Sequence, residues 1–270
     1  MNPFNRKRIS IFISMLLFSL LACNATFNVG VPTPTILVPT ATAVPTTVPL
    51  ISEQVTLISV PFNETNLGSN FPAYTITAQT PQLTGSDDPR VLAFNQRLHD
   101  LVAKEVDTWR QSFQQLPLTP NSNGSSLVVT YTPSSMMRDL WSLKFDFAFY
   151  ADSAAHPGLN SITLNYDLGQ GRELALGDLF LPNSNYLEPI SNYCITELSK
   201  QPFFDGPFTD GAKPTVENYR NWTLSPDGVT ITFDTYQVAP GAAGPQQVVV
   251  PFSELTAIIN PQGPLAMLPR

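Results

Sequence analysis

The sequence predicts an α+β fold in which an antiparallel β-sheet packs against two main helices. Three observations indicate this class. Predicted elements run as strands, helix, strands, helix, strands; strand-helix-strand units do not recur at a regular spacing; and the longest strands alternate apolar with polar residues. We expect a small N-terminal subdomain over residues 51–120, a larger C-terminal one over 121–260 and a tail over 261–270.

Two extended stretches and a helix begin the folded part. The stretches VTLISVPF and AYTITAQTPQL lie within residues 55–83. Next, Asp87 or Asp88 can cap a helix, and Pro89 suits its first position. Apolar residues then recur at helical spacing: Val91, Phe94, Leu98, Leu101, Val102, Val106, Trp109 and Phe113. His99 lies beside this stripe, and we interpret it as a surface residue.

The run MRDLWSLKFDFAFYA predicts a strand with one buried face. Its apolar side chains share one face: Trp141, Leu143, Phe145, Phe147 and Phe149. The other face carries Ser142, Lys144, Asp146, Ala148 and Tyr150. The run NSITLNYDL predicts the next strand, and the connection ADSAAHPG has hairpin length. His156 is therefore expected in a strand-to-strand connection.

A second helix and a closing set of strands complete the prediction. The helix has an apolar stripe of Leu187, Ile190, Cys194 and Leu198, so we interpret Cys194 as a small core residue. Residues 201–219 read as an irregular covering loop. A hairpin turn is expected at 226–228, then a strand over 247–252 and a short helix near 252–257.

The first 22 residues resemble a lipoprotein signal peptide. The basic residues at 6–8 precede an apolar run over 9–21, which closes on SLLAC. In such peptides the chain is cut just before the cysteine, here Cys23, whose thiol is acylated and anchors the protein to the membrane. The alternative is an ordinary secretory signal that is cut elsewhere. Either predicts an extracytoplasmic location, and the first adds a lipid anchor on the cell membrane.

Composition constrains the rest of the chain. Residues 23–50 form a linker rich in Pro and Thr, which favours extended polyproline II. The net charge of −7 argues against a nucleic-acid partner. If Cys23 is lipidated, Cys194 has no partner for a disulfide within the chain. No dinucleotide or Walker motif occurs, and we predict neither a cofactor nor a metal.

Two runs carry a resemblance to a known family. HPGLNSITLNYDLGQGRELALGDLF and GVTITFDTYQVAPGAAGPQQVVVPFSEL resemble the extracytoplasmic domain of RsiV-type anti-sigma factors, which sense lysozyme. A similar domain of unknown function precedes the catalytic module of PdaC-type peptidoglycan deacetylases. The resemblance covers about residues 55–257. The family usually has a Gly-Gly-Ala-His-like turn where this chain has residues 153–156. The resemblance implies an exported binding or sensing module.

The sequence gives only weak support to a catalytic function. Ser153 and His156, with Asp152 or Asp146 as the acid, are the candidates for a triad, and local turn hydrogen bonding explains their proximity equally well. Asp152 and His156 alone supply too few ligands for zinc. Four carboxylates could serve glycoside chemistry, but we expect them on solvated faces: Asp146, Asp167, Glu173 and Asp234. The sequence thus predicts a protein that is not an enzyme.

A binding surface is the favoured interpretation. Tyr150, His156 and Tyr236 are candidate ligand contacts, because Tyr and His combine apolar area with a polar tip. Alternatively, Tyr236 braces the APGAAGP loop and His156 bonds its own turn. The predicted partners are the membrane, through the lipid anchor, and a cell-wall glycan or a secreted protein such as a lysozyme. The alternatives are a cell-wall-active hydrolase or deacetylase and a purely structural surface protein.

Overall fold

A six-stranded sheet is the larger of two sheets in the computed structural model, which describes residues 50–67, 72–119, 122–204 and 206–267. Its strands lie side by side in chain order: β1 (Thr56–Asn66), β2 (Tyr74–Thr84), β3 (Ser125–Met137), β4 (Leu140–Tyr150), β5 (Gly158–Asp167) and β6 (Arg172–Glu173). The predicted signal peptide, Cys23 and the linker up to residue 49 lie outside the described residues.

The first helix, α1 (Pro89–Gln114), covers one face of this sheet. The Asp88 carboxylate accepts a hydrogen bond from the Arg90 backbone N–H at 2.8 Å, so the predicted cap is present. Of the predicted stripe, Trp109 is partly buried and the other members are buried. The odd-numbered aromatic residues of β4 face the helix, and the Trp109 ring stacks on that of Phe149 at 4.1 Å.

One strand pair departs from the predicted antiparallel sheet. β2 and β3 pair in parallel, whereas the other neighbours in the sheet are antiparallel. Because α1 connects β2 to β3, the chain crosses over the sheet and re-enters it in the same direction. The α+β class and the two main helices are confirmed.

A second sheet is antiparallel and contributes to a second hydrophobic core. It consists of β7 (Trp222–Leu224), β8 (Gly228–Phe233) and β9 (Gln246–Pro251), packed with α2 (Leu187–Leu198) and the short α3 (Phe252–Leu255). Cys194 is fully buried in this core, where burial raises the pKa of its thiol to about 12. The interpretation of Cys194 as a core residue is therefore confirmed.

The two sheets are joined by side-chain hydrogen bonds, which we call the polar seam. Asn165 Nδ2 donates to the Trp222 carbonyl at 2.7 Å, and the Trp222 N–H donates to Thr163 Oγ1 at 3.0 Å. The Leu224 N–H donates to Ser142 Oγ at 3.0 Å, and that hydroxyl donates to Asn165 Oδ1 at 2.6 Å. Side chains of β4 and β5 thus satisfy the backbone of β7, which lies across their second face.

The predicted domain boundaries stay predictions. The division between residues 120 and 121 falls between β2 and β3, which pair within one sheet. The first hydrophobic core runs from Ile51 to Leu168, so it includes residues from both predicted subdomains. In the segment predicted as a tail, Leu265 is buried in the second core. Among the described helices, none combines the length and apolarity needed to cross a membrane.

Replacing Asn165 by leucine tests the polar seam. Asn165→Leu leaves the Trp222 carbonyl without this donor and the Ser142 hydroxyl without this acceptor. Unpaired buried polar groups cost about 1–3 kcal/mol each, so we expect the free energy of unfolding to fall by about 2–4 kcal/mol in urea titration. The control Asn160→Leu, at an exposed position of β5, should change it by less than about 0.5 kcal/mol. Equal losses in both variants would contradict the assignment.

Candidate functional site

The second sheet leaves one half of the six-stranded sheet uncovered. We call this region the open face: the side chains of β2 to β5 that point away from α1 and lie beyond the polar seam. Strand register gives its members: Thr75, Thr77, Ser126, Val128, Thr130, Ala148, Tyr150 and Leu159. All of them are exposed or partly exposed. Tyr150 is half-buried at the end of β4, opposite Ser126.

Tyr236 stands on the turn that follows β8. Its side chain is 59% exposed, and its backbone adopts a φ of 70°. This left-handed conformation costs a residue other than glycine about 1–2 kcal/mol. It persists because the surrounding structure holds the turn: the Gln237 N–H donates to the Asp234 carbonyl, and the Asp234 N–H donates to Gln237 Oε1, both at 3.0 Å.

Further contacts fix this turn to the sheet and to a neighbouring loop. Gln237 Nε2 donates to the carbonyls of Gly211 and Asn218, each at 2.9 Å. On the other side, the Ser161 N–H of β5 donates to Asp234 Oδ1 at 3.3 Å, and the Arg220 guanidinium pairs with the same carboxylate. The turn is therefore held at both ends while the Tyr236 side chain between them stays exposed.

The Tyr236 ring lies against the backbone of the following loop. A Cβ atom placed on Gly241 would be 2.3 Å from the ring's Cζ and hydroxyl oxygen, which is closer than any side chain tolerates. Glycine at 241 thus allows the ring to approach. The contact agrees with the alternative that Tyr236 braces the APGAAGP loop. It also restricts the orientation of the Tyr236 ring.

His156 lies in the connection between β4 and β5, as predicted. Its ring is exposed, and its Nδ1 lies 3.0 Å from the Pro157 carbonyl oxygen. Within the described residues, no hydrogen bond joins His156 to Ser153 or to a carboxylate. Ser153 adopts a φ of 67°, a left-handed position in the turn where the resembled family usually has glycines.

The three candidate contact residues belong to elements at one end of the sheet. Thr235 Oγ1 lies 3.5 Å from the Leu159 carbonyl oxygen, so the Tyr236 turn adjoins the start of β5. Leu159 is opposite Ala148, two residues before Tyr150. Their role as ligand contacts stays a prediction.

A paired set of charges borders the open face. Lys144 Nζ donates to both Asp146 carboxylate oxygens at 2.6 Å, and the Ser161 hydroxyl donates to Asp146 Oδ1 at 2.7 Å. Ser161 therefore links Asp146 with Asp234, whose own cation is Arg220. Each carboxylate of this cluster has a basic partner, which suits a structural network.

Asp167 corrects one expectation about the four carboxylates. It is fully buried rather than solvated, because the turn after β5 folds back over it and the Gln170 N–H donates to its Oδ1 at 2.9 Å. Glu173 is exposed and pairs with Arg97 at 2.7 Å. These contacts place both residues outside the cluster around Ser161.

A groove of about 650 Å³ lies between α1 and the β1–β2 hairpin. Its floor includes the buried Ala78 and Val102, and Phe62 and His99 line it. At one end Arg110 pairs with Glu64 at 2.6 Å, which lowers the pKa of Glu64 mainly through that hydrogen bond. The groove contains none of the three predicted contact residues.

Sequence reasoning missed the hydroxyl-bearing side chains of the open face. Thr75 and Thr77 alternate with the buried Tyr74, Ile76 and Ala78, and this period of two was visible in the sequence. Ser126 and Thr130 follow the same rule on β3. Only the register shows that they form adjacent rows, because β2 and β3 are separated by α1 in the chain.

Comparison with known proteins agrees with this architecture. Residues 177–253 match the family described as "Protein of unknown function (DUF3298)". The matched segment contains α2, the second sheet and Tyr236, and it ends before α3 does. It excludes His156 and every residue of the open face, Tyr150 included.

A curated relative is the peptidoglycan-N-acetylmuramic acid deacetylase PdaC of Bacillus subtilis. It is 26% identical over 162 residues, which cover 59% of this chain and 34% of the relative. The match thus spans about a third of the relative's length.

Two solved structures of DUF3298 family proteins share the fold. The protein from Bacteroides fragilis has a TM-score of 0.59 at 16% identity, covering 76% of this chain and 94% of its own. The protein from Pseudomonas aeruginosa has a TM-score of 0.55 at 14% identity, covering 80% and 98%. The similarity of fold therefore extends well beyond residues 177–253.

Replacing Gly241 by alanine tests the contact between the Tyr236 ring and the backbone at Gly241. The new Cβ would overlap the ring, so we expect the ring to swing away and its NMR resonances to shift. Stability should fall only towards the lower end of the 1–3 kcal/mol range typical of overpacking (about 1 kcal/mol), because the ring is exposed. Ala242→Ser, at the exposed neighbouring position, should leave the Tyr236 resonances in place. Unchanged resonances in Gly241→Ala would refute the contact.

Proposed function

We propose that the protein is an extracytoplasmic lipoprotein whose folded domain binds a cell-wall component or a secreted protein without catalysing a reaction. One observation carries the proposal. An aromatic side chain, Tyr236, is held exposed in a strained backbone conformation by a turn that is fixed on both sides. Strain of this kind clusters at ligand-binding sites, where the fold over-determines the conformation.

The fixed turn favours recognition for an energetic reason. A side chain that is ordered before binding loses less conformational entropy when the partner arrives. Tyr is also among the residues that most often dominate binding energy, because its ring supplies apolar area and its hydroxyl supplies a hydrogen bond. Tyr150 and His156 add two more such side chains at the same end of the sheet.

The surroundings of the candidate residues support a role in binding more than one in catalysis. A general base needs a proton donor within hydrogen-bond reach, and His156 contacts its neighbour's carbonyl instead. Asp146 and Asp234 are each occupied by a cation and by Ser161. A binding module without its own catalytic centre accounts for these contacts.

The proposed location rests on the leader and on the relative. An apolar segment that ends at Cys23, followed by a linker rich in Pro and Thr, suits an anchored domain held away from the membrane. The name of the matched B. subtilis protein, a peptidoglycan deacetylase, supports a place at the cell wall. The resemblance to RsiV-type domains makes a secreted protein such as a lysozyme the alternative partner to wall material.

Truncating Tyr236 tests the binding proposal. Purified protein should retain a specific wall fraction or secreted protein in pull-down, and Tyr236→Ala should weaken that interaction about tenfold or more, as for a hot-spot side chain. Leu118→Ala removes a side chain that is 62% exposed outside the open face and should bind like the wild type. No partner above background, or equal binding by Tyr236→Ala, would count against the proposal.

Replacing Cys23 tests the anchor independently. Cys23→Ala removes the only thiol that a lipoprotein signal peptide could present for acylation, so labelled fatty acid should no longer be incorporated. The variant should move from the membrane fraction to the soluble fraction. Cys194→Ala is the matched control and should stay membrane-bound, since that thiol is buried. Incorporation of labelled fatty acid that is equal in the wild type and in Cys23→Ala, or absent from both, would exclude a lipid anchor at this residue.

A further inference from the structure

The open face has a chemical character that the proposed function does not itself require. Its aliphatic hydroxyls belong to Thr75, Thr77, Ser126 and Thr130, on two adjacent strands. We propose that this face binds an uncharged, polyhydroxylated glycan, the glycan backbone of the cell wall, laid across strands β2 to β5. The inference rests on the proposed function, because it names the wall component that the domain binds.

The hydroxyls match a sugar in hydrogen-bonding capacity. Each Thr or Ser hydroxyl can donate one hydrogen bond and accept others, and so can each hydroxyl of a pyranose. A rigid sheet also repeats these groups regularly, about 4.8 Å apart between strands and roughly 6.8 Å apart between alternate residues of one strand. A polymer with regularly repeated hydroxyls can therefore pair with several rows at once.

The centre of the open face is apolar. One row across the sheet contains Thr77, Val128, Ala148 and Leu159, in register on four adjacent strands. Val128 is 44% exposed although it is a large apolar side chain. Sugars present C–H groups on the faces of their rings, and burying those against Val128 removes apolar area from water on both partners. The Thr and Ser hydroxyls beside this row, and the Tyr150 hydroxyl at its end, can then hydrogen-bond to the hydroxyls at the edge of the sugar ring.

Charge complementarity favours an uncharged ligand. Of the eight residues named as the open face only Tyr150 is ionisable, and Asp146, which lies opposite Thr130 at its border, is paired with Lys144 at 2.6 Å. An anionic polymer or a strongly basic protein would find no complementary charge here.

The experiment measures depletion of the full chain, purified in detergent, by insoluble chitin and by purified peptidoglycan. Chitin serves as an uncharged, N-acetylated glycan without peptides, and soluble N-acetylglucosamine oligomers should compete. The double variant Thr77→Val/Thr130→Val removes two hydroxyls at nearly constant volume and keeps good strand formers. We expect its affinity for both glycans to fall about tenfold, the loss typical of two neutral hydrogen bonds.

Two further variants make the result decisive. Thr196→Val removes an exposed hydroxyl on α2, far along the chain from the open face, and should bind like the wild type. Val128→Lys places a charge in the centre of the face and should abolish glycan binding. Unfolding curves of all variants identify any that fail to fold, and a reduced signal counts only for folded protein.

Several results would overturn the inference. These are no depletion by either glycan, equal depletion by the wild type and the threonine double variant, or stronger wall binding by Val128→Lys, which would indicate an anionic polymer. Concentration-dependent dimers that the double variant loses would assign the face to self-association instead. If glycans fail to bind while Tyr236→Ala still weakens capture of a secreted protein, the glycan inference fails and the proposed function stands.

Discussion

The polar seam determines which surfaces this fold can present. β7 is only three residues long and pairs with β8, and the side chains of Ser142, Thr163 and Asn165 satisfy the backbone groups of Trp222 and Leu224 that face the first sheet. Buried backbone groups need partners, so β7 can lie across the first sheet only where those side chains stand. This fixes the second sheet over the Ser142 half of the face. The half that ends in Tyr150 remains open as a consequence.

The same constraint positions the Tyr236 turn. β8 pairs with β7, so its last residue and the turn after it are carried towards β5, where Asp234 accepts from the Ser161 N–H. A network of Lys144, Asp146, Ser161 and Arg220 then forms at the border between the covered and open halves. Lys144 pairs with Asp146 in the first sheet, and Arg220 pairs with Asp234 beside the second sheet. These charge-assisted hydrogen bonds add to the polar seam in holding the two sheets together. Strain at Tyr236 is tolerated because Asp234 on one side belongs to this network and Gln237 on the other donates to the carbonyls of Gly211 and Asn218.

The local sequence pattern predicted the helices and strands, whereas the strand order and the conformation of Tyr236 depend on tertiary contacts. The helical stripe of α1, its Asp88 cap and the alternation of β4 depend on near neighbours, and all three are present. The parallel pairing of β2 with β3 joins residues separated by a whole helix, so alternation gave the correct face but no strand order. Tyr236 was a candidate contact because of its residue type. Its left-handed backbone is imposed by Gln237 and Asp234, and Tyr has no preference for that region that the sequence could reveal.

The threonines of the open face show why exposure alone does not identify a site. Threonine is a good strand former, and a solvated sheet face rich in threonine needs no ligand to explain it. Solubility, however, is normally secured by charges of both signs on such a face, and Lys on sheet surfaces also prevents association. This face instead combines hydroxyls with an exposed Val128 and has its bordering charges paired. Water hydrates the hydroxyls but not the apolar centre between them. A pyranose ring carries both C–H groups and hydroxyls, so it can cover the apolar centre and hydrogen-bond to the hydroxyls at the same time.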